Sequence, residues 1–208
     1  MGSGQVFLVD DDEALRFSIA DLLTFAGYGV RTWRDAQAFL QDLPASQPAV
    51  LLTDMRMPGL SGIDLHAELL RRDRCFPVVY LTGESTLSQG IDAMKLGAFD
   101  FLLKPFARDT LLAVVAAALA QAQARWAASI DRLRAQRALS SLSPREREVH
   151  RLLLRGCGNR EIVDALGISL PTAKQYKTEV MRKLGAQTLS QVLAHGRLLE
   201  GETQAFLR

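Results

Sequence analysis

VFLVDDDEALRFSIADLL, residues 6–23, holds the unit from which the first part of the chain is built. Four apolar residues, Val6 to Val9, give way to three carboxylates, Asp10, Asp11 and Asp12. Apolar residues then recur at three- and four-residue spacing. A short apolar run bounded by polar residues predicts a buried strand, and the periodic stretch predicts an amphipathic helix. A strand followed at once by such a helix is the unit of a parallel sheet covered by helices.

The unit recurs along the chain. Strands are predicted at Val6–Asp10, Gly29–Trp33, Val50–Asp54, Val78–Thr82 and Asp100–Leu103, with helices at Ala14–Ala26, Ala36–Leu43, Gly62–Arg72 and Leu87–Leu96. Another helix opens at Ala107. Five such units predict an α/β doubly wound five-stranded parallel domain, with its ligand site beyond the carboxyl ends of the strands. Those ends carry reactive groups: Asp10 and Asp11 after the first strand, Asp54 on the third, Thr82 on the fourth and Lys104 on the fifth. Carboxylates brought that close need a cation, and a hard divalent ion such as Mg²⁺ suits oxygen ligands. A carboxylate nucleophile, a metal, an ammonium and a hydroxyl make a set suited to phosphoryl transfer. Taken singly, each element has a plainer reading. An Asp triplet caps helices, and Met55-Arg56-Met57-Pro58-Gly59 could be a simple turn. Joint placement at four strand ends of one sheet favours the chemical reading.

On these residues the first part of the chain resembles the receiver domain of two-component response regulators. The resemblance rests on Val9-Asp10-Asp11 with Arg16, Asp54-Met55-Arg56-Met57-Pro58-Gly59, Thr82-Gly83 and Lys104-Pro105-Phe106. It implies that Asp54 accepts phosphate from a sensor histidine kinase. It also implies that Asp10, Asp11, Asp54 and the carbonyl of Arg56 hold Mg²⁺, and that Lys104 and Thr82 contact the phosphoryl oxygens. A cis peptide precedes the residue matching Pro105 in that family. Phe101 matches its aromatic switch position, moving as Thr82 turns toward the phosphate. Arg56 and Glu84 match positions that modulate phosphate lifetime, which predicts a pair across the site mouth.

The second part of the chain has the opposite charge. Residues 1–124 hold 10 Lys+Arg against 15 Asp+Glu, a net of −5, and residues 125–208 hold 15 against 8, a net of +7. A basic half fits a polyanionic partner. From Ala107 to about Leu139 there is no Gly, and helix formers dominate, which predicts one long helix. Leu119, Ala122, Trp126, Ser129 and Leu133 form an imperfect heptad seam along it, for a dimerising helix or a merely connecting one. Ser143-Pro144-Arg145-Glu146 predicts a capping box opening a helix to Arg155, ended by Gly156 and Gly158. Asn159 is the expected cap of a second helix, Ser169 of a third running to Leu184, and a fourth is predicted at about Thr188–Leu199. Ala165-Leu166-Gly167-Ile168-Ser169 is a tight helix-helix turn of the helix-turn-helix kind.

Residues 142–199 resemble the output domain of the NarL/FixJ (LuxR-type) regulators, through Leu142–Val149, Asn159-Arg160-Glu161-Ile162, Leu166–Ser169 and Lys183-Leu184-Gly185. The resemblance implies an α/β receiver plus an all-α helix-turn-helix domain joined by a long helix: receiver 1–120, helical linker 121–141, DNA-binding domain 142–208. It places base contacts at Lys174, Gln175 and Thr178, and phosphate contacts at Lys177, Arg182, Thr172, Asn159 and Arg160. The implied partners are a sensor histidine kinase, double-stranded promoter DNA, RNA polymerase and, on phosphorylation, a second copy. The implied role is transcription regulation in the cytoplasm, activation being commoner among relatives. Ala173 and Tyr176 depart from the family's usual Val and His.

Two other classes fit parts of the chain. Asp10-Asp11-Asp12 after a strand also opens haloacid-dehalogenase-type phosphatases, with Asp10 as nucleophile, and the helical tail could dock a protein instead of DNA. The longest apolar stretch, Leu111–Ala120, is too short to cross a bilayer. Cys75 and Cys157 fit no disulfide or zinc spacing, as expected of a reducing compartment, and His66, His150 and His195 receive no role.

Overall fold

The computed structural model describes residues 4–45, 47–83 and 87–193, the side chains of 87–89 and 92 aside. The chain divides into two compact units, Met1–Trp126 and Ala127–Arg208.

The first unit alternates β1 (Gln5–Val9), α1 (Glu13–Phe25), β2 (Gly29–Trp33), α2 (Ala36–Gln41), β3 (Ala49–Asp54), α3 (Gly62–Arg71), β4 (Val78–Thr82), α4 (Leu87–Lys95) and β5 (Asp100–Leu103). The sheet order is β2-β1-β3-β4-β5, and every pairing is parallel. Val6, Leu8, Val50 and Leu52 face one layer with Ile19 and Leu23 of α1. Phe7, Val9, Leu51 and Tyr80 face the other with Phe39 of α2 and Leu65 and Leu69 of α3. Burial of the three central strands, β1, β3 and β4, on both faces explains why their apolar runs are continuous and do not alternate. In the second layer His66 Nδ1 lies 3.0 Å from the Tyr80 hydroxyl, and burial lowers the imidazole's pKa.

The helix after β5 is one piece, α5 (Arg108–Ser140), as its composition predicts. It is longer than the apolar core at Leu111–Ala120 indicated. An 18-residue window within it has mean hydropathy 1.3, enough by length and composition to cross a bilayer. Its side bearing Leu111, Val115, Ala118 and Leu119 is buried against α1 and the sheet, and 28% of that window is buried in all. The same packing corrects the heptad seam. Leu119 is 3% exposed and already used by the first unit's core, and Ala122 is 6% exposed, whereas Trp126 and Leu133 are 37% and 53% exposed. A seam could begin only at Trp126.

The second unit packs α6 (Pro144–Leu154), α7 (Asn159–Leu166) and α8 (Leu170–Leu184) around Val149, Leu153, Ile162, Ala173 and Val180. Gly167 and Gly185 close α7 and α8 in the left-handed region, at φ 63° and 64°, where a side chain would be strained. The expected cap at Asn159 is displaced by one residue. Gly158 is the N-cap, Asn159 is the first helical residue, and the Glu161 carboxylate accepts the Gly158 N–H at 2.6 Å. Residues 189–193 are helical, and the rest of the predicted fourth helix, with His195, lies outside the described residues. His150 is buried beside Val149 on the core side of α6.

One ion pair ties the ends of this unit together. Glu146 is 7% exposed, accepts the Ser143 N–H at 2.7 Å and pairs with Lys183 at 2.6 Å. The Lys183 hydrogen bond, helped by that from Ser143, holds the carboxyl below the usual glutamate value of 4.5. A carboxyl with a depressed folded pKa stabilises the fold above its unfolded value, and that stability is lost as pH falls through the folded one. Glu146→Gln should therefore cost about 1–3 kcal/mol at neutral pH. It should also flatten the fall in stability that the wild type shows on acidification below 4.5. Urea unfolding followed by circular dichroism across that range checks both.

Candidate phosphoacceptor site and nucleic-acid interface

Asp10 leaves the end of β1 fully buried. Its N–H reaches the Trp33 carbonyl at 3.3 Å, its Oδ1 accepts the Asp12 N–H at 2.9 Å, and Arg16 donates to its carbonyl at 2.6 Å. Asp12, the third of the triplet, caps α1 by accepting from the Leu15 N–H at 3.0 Å. The capping and chemical readings of the triplet thus fall on different residues. Asp54 ends β3, with its Oδ1 accepting the Arg56 N–H at 3.4 Å. Beside it stands Gly62, where a Cβ would lie 2.2 Å from the Asp54 carbonyl oxygen. The loop from Asp54 can close onto α3 only over a glycine.

Carboxylate oxygens of Asp10, Asp11 and Asp54 lie within 4.8 Å of one another. The Lys104 ammonium bridges two of them, at 2.9 Å from Asp10 and 3.3 Å from Asp54. Lys104 is held there by its N–H on the Thr82 carbonyl at 2.7 Å, and a cis peptide joins it to Pro105. Burial raises the Asp54 carboxyl above its ordinary value and nearby Asp10 adds to the rise, opposed mainly by Lys104. Three carboxylates against one ammonium leave excess negative charge, with oxygen donors only, so the donor set fits a hard divalent cation. The Thr82 hydroxyl is buried at the same strand edge without a hydrogen-bond partner among the described residues. An orphaned buried donor costs stability, which is the signature of a group waiting for an acceptor.

Other expected residues separate. Phe101 is 46% exposed on β5, so it is not core in this state. Arg56 is exposed, and its predicted partner Glu84 lies outside the described residues.

In the second unit, α8 presents Lys174, Gln175, Thr178 and Arg182 as exposed residues, with Lys177 half-buried. The Thr178 hydroxyl bonds back to the Lys174 carbonyl at 3.0 Å, and Arg182 is engaged by Glu179 at 2.8 Å. Thr172 shares a 2.7 Å contact with the Ser169 hydroxyl at the start of α8. Arg160 is exposed and Asn159 half-buried at the start of α7. Ala173 is fully buried and Tyr176 packs against the same core. Sequence reasoning gave no role to Arg16 or Lys183, and nothing in local spacing shows that Lys183 would meet Glu146, 37 residues away.

A parallel five-stranded unit with this pocket, followed by a helix-turn-helix unit, defines a class. Residues 6–116 match the response regulator receiver domain family, and residues 140–195 match the luxR family of bacterial regulatory proteins. The chain belongs to the response regulators of the NarL/FixJ family, phosphorylated proteins that control transcription. Among its relatives, the transcriptional regulatory protein FixJ of Bradyrhizobium diazoefficiens is 40% identical over 192 residues, covering 91% of this chain and 93% of the relative. The tetrathionate response regulatory protein TtrR of Salmonella typhimurium is 35% identical over 188 residues, covering 90% and 89%. The solved structure of response regulator StyR superposes with a TM-score of 0.85 at 34% identity, covering 94% of this chain and 99% of that one. The receiver implies a sensor kinase as partner, and the luxR-family unit implies DNA binding.

Proposed function

We propose that Asp54 is the phosphoacceptor. Lys104 bridging Asp10 and Asp54, beside a Thr82 hydroxyl with no partner among the described residues, carries this reading. One Asp54 oxygen attacks the phosphorus of a phosphohistidine on the sensor kinase. The P–O bond forms as the P–N bond breaks, and the imidazole nitrogen leaves with the electron pair. Mg²⁺ would be held by Asp10, Asp11, Asp54 and the Arg56 carbonyl; when bound, it supplies charge neutralisation at the phosphoryl oxygens. Lys104 and Thr82 donate hydrogen bonds to those oxygens. The chain catalyses only its own phosphoryl uptake and slow loss.

The Thr82 hydroxyl, once it has an acceptor, turns toward it, and the exposed Phe101 ring moves into the space released. This is a population shift between two arrangements of the sheet edge. In the proposed division, 1–120 is the receiver, 121–141 the helical linker and 142–208 the DNA-binding domain. Lys174, Gln175 and Thr178 read bases in the major groove, while Lys177, Arg182, Thr172, Asn159 and Arg160 meet phosphates. The phosphorylated protein acts in the cytoplasm as a homodimer on promoter DNA and engages RNA polymerase.

The phosphatase reading requires Asp10 as nucleophile, but Asp10 is fully buried and held by Lys104 and the Asp12 N–H. Asp54 is the more open of the two. Incubation with acetyl phosphate and Mg²⁺, followed by mass spectrometry, should place one phosphate on Asp54 and none on the Asp54→Asn variant. A phosphate on Asp10, or none on either aspartate, would refute the assignment.

A further inference from the structure

We propose that Arg147, Arg151 and Arg155, spaced by four along α6 and its C-cap, form a track for the phosphate backbone of duplex DNA. This rests on the DNA-binding reading above and adds a surface outside the helix-turn-helix. All three side chains are exposed, and none makes an ion pair among the described residues. Their hydrogen bonds are long and go to carbonyls of the chain itself, Arg147 to Ser140 at 3.3 Å and Arg151 to Arg147 at 3.4 Å. The acids of the same helix are already taken, Glu146 by Lys183 and Glu148 by Arg145 at 2.8 Å. A solvated helix face ordinarily interleaves the two signs. Here the i, i+4 row is of one sign, and Glu148, the acid beside it, is paired with Arg145.

Successive members of the row are about 6 Å apart along the helix axis. A DNA strand carries a charge about every 3.4 Å of its own axis, so steps of about 6 Å match every second phosphate, within reach of long guanidinium arms. The row also ends where a phosphate contact is already proposed. Arg155 is followed by the Gly156-Cys157-Gly158 turn, which leads straight into Asn159 and Arg160 at the start of α7. Continuity with that helix start and the uncompensated charge favour a polyanion over an acidic protein. Such contacts position the domain without reading sequence.

The test uses the full chain and a mixed-sequence 30-bp duplex, with anisotropy titrations over a range of KCl concentrations. The variant Arg147→Ala/Arg151→Ala/Arg155→Ala should weaken binding at least tenfold at about 0.1 M salt. It should also make the slope of log K against log salt shallower by about 2–3, since each phosphate contributes about 0.9. Replacement of all three by Lys should keep the wild-type slope, and unchanged circular dichroism excludes loss of fold. An unchanged slope and affinity in the Ala variant, while Lys174→Ala/Lys177→Ala binds more weakly, overturns the track and leaves the recognition helix standing. If transcription then falls with DNA affinity intact, the row faces a protein. If the wild type itself shows no salt-dependent duplex binding, the DNA-binding reading fails and the track fails with it.

Discussion

Lys104→Met should make the stability of the first unit depend on divalent cation. In the wild type the ammonium is the counter-charge to Asp10, which is fully buried, and lies 2.9 Å from it and 3.3 Å from Asp54. Removing one partner of a buried pair costs about 3–5 kcal/mol, because the other charge is left without compensation. Asp11 and Asp54 stand within the same 4.8 Å neighbourhood and make that worse. In chelator, thermal unfolding of the variant should therefore begin well below that of the wild type. Mg²⁺ at millimolar concentration should restore much of the difference, since a ligand that binds only the folded state stabilises it by mass action. The variant should bind Mg²⁺ more tightly than the wild type, with one cation fewer in competition, yet take up little phosphate, having lost a donor to the phosphoryl oxygens. Equal melting of the two proteins in chelator would show that Lys104 is not the counter-charge the pocket depends on.

Gly62→Ala should damage the fold and the site together. A Cβ there would sit 2.2 Å from the Asp54 carbonyl oxygen and 3.1 Å from its carbon. Both are backbone atoms and cannot swing aside. The Gly62 N–H is also tied to the Met55 carbonyl at 3.1 Å, so α3 cannot move off without losing that bond. Forcing atoms into a filled space costs about 1–3 kcal/mol, and more where backbone must shift. We expect about 3 kcal/mol in urea unfolding. In whatever fraction remains folded, phosphoryl uptake should slow at least tenfold, since Asp54 is displaced. Gly59→Ala is the control, because no atom of the described residues lies within 4 Å of its added Cβ, although its φ of 80° adds backbone strain. Its loss of stability should come without the slowed uptake.

Much of this architecture is legible in residue pattern. The five strands fall within a residue of where short apolar runs between turns place them, and β1, β3 and β4 are the continuous buried runs of the sheet's centre. Boundaries set by a single hydrogen bond are less legible. Asn159 and Gly158 both suit a helix start, and the choice is made by the Glu161 carboxylate reaching back to the Gly158 N–H. Asp12 as cap and Asp10 as buried pocket carboxylate cannot be told apart by type, only by which way each side chain points after the strand ends. The heptad pattern misled at Leu119, because apolar spacing shows that a helix face is buried without showing against what. Gly62 under Asp54 and Lys183 on Glu146 leave no local trace, being meetings of elements far apart in the chain.

Phosphate on Asp54 should change how the basic second unit grips DNA. The most direct measurement is selection of bound fragments from sheared genomic DNA, with wild type and Asp54→Asn each treated with acetyl phosphate and Mg²⁺. Enrichment of a discrete set of fragments by the wild type, absent or strongly reduced in the variant, is the predicted result. Equal enrichment of the same fragments by both proteins would contradict it.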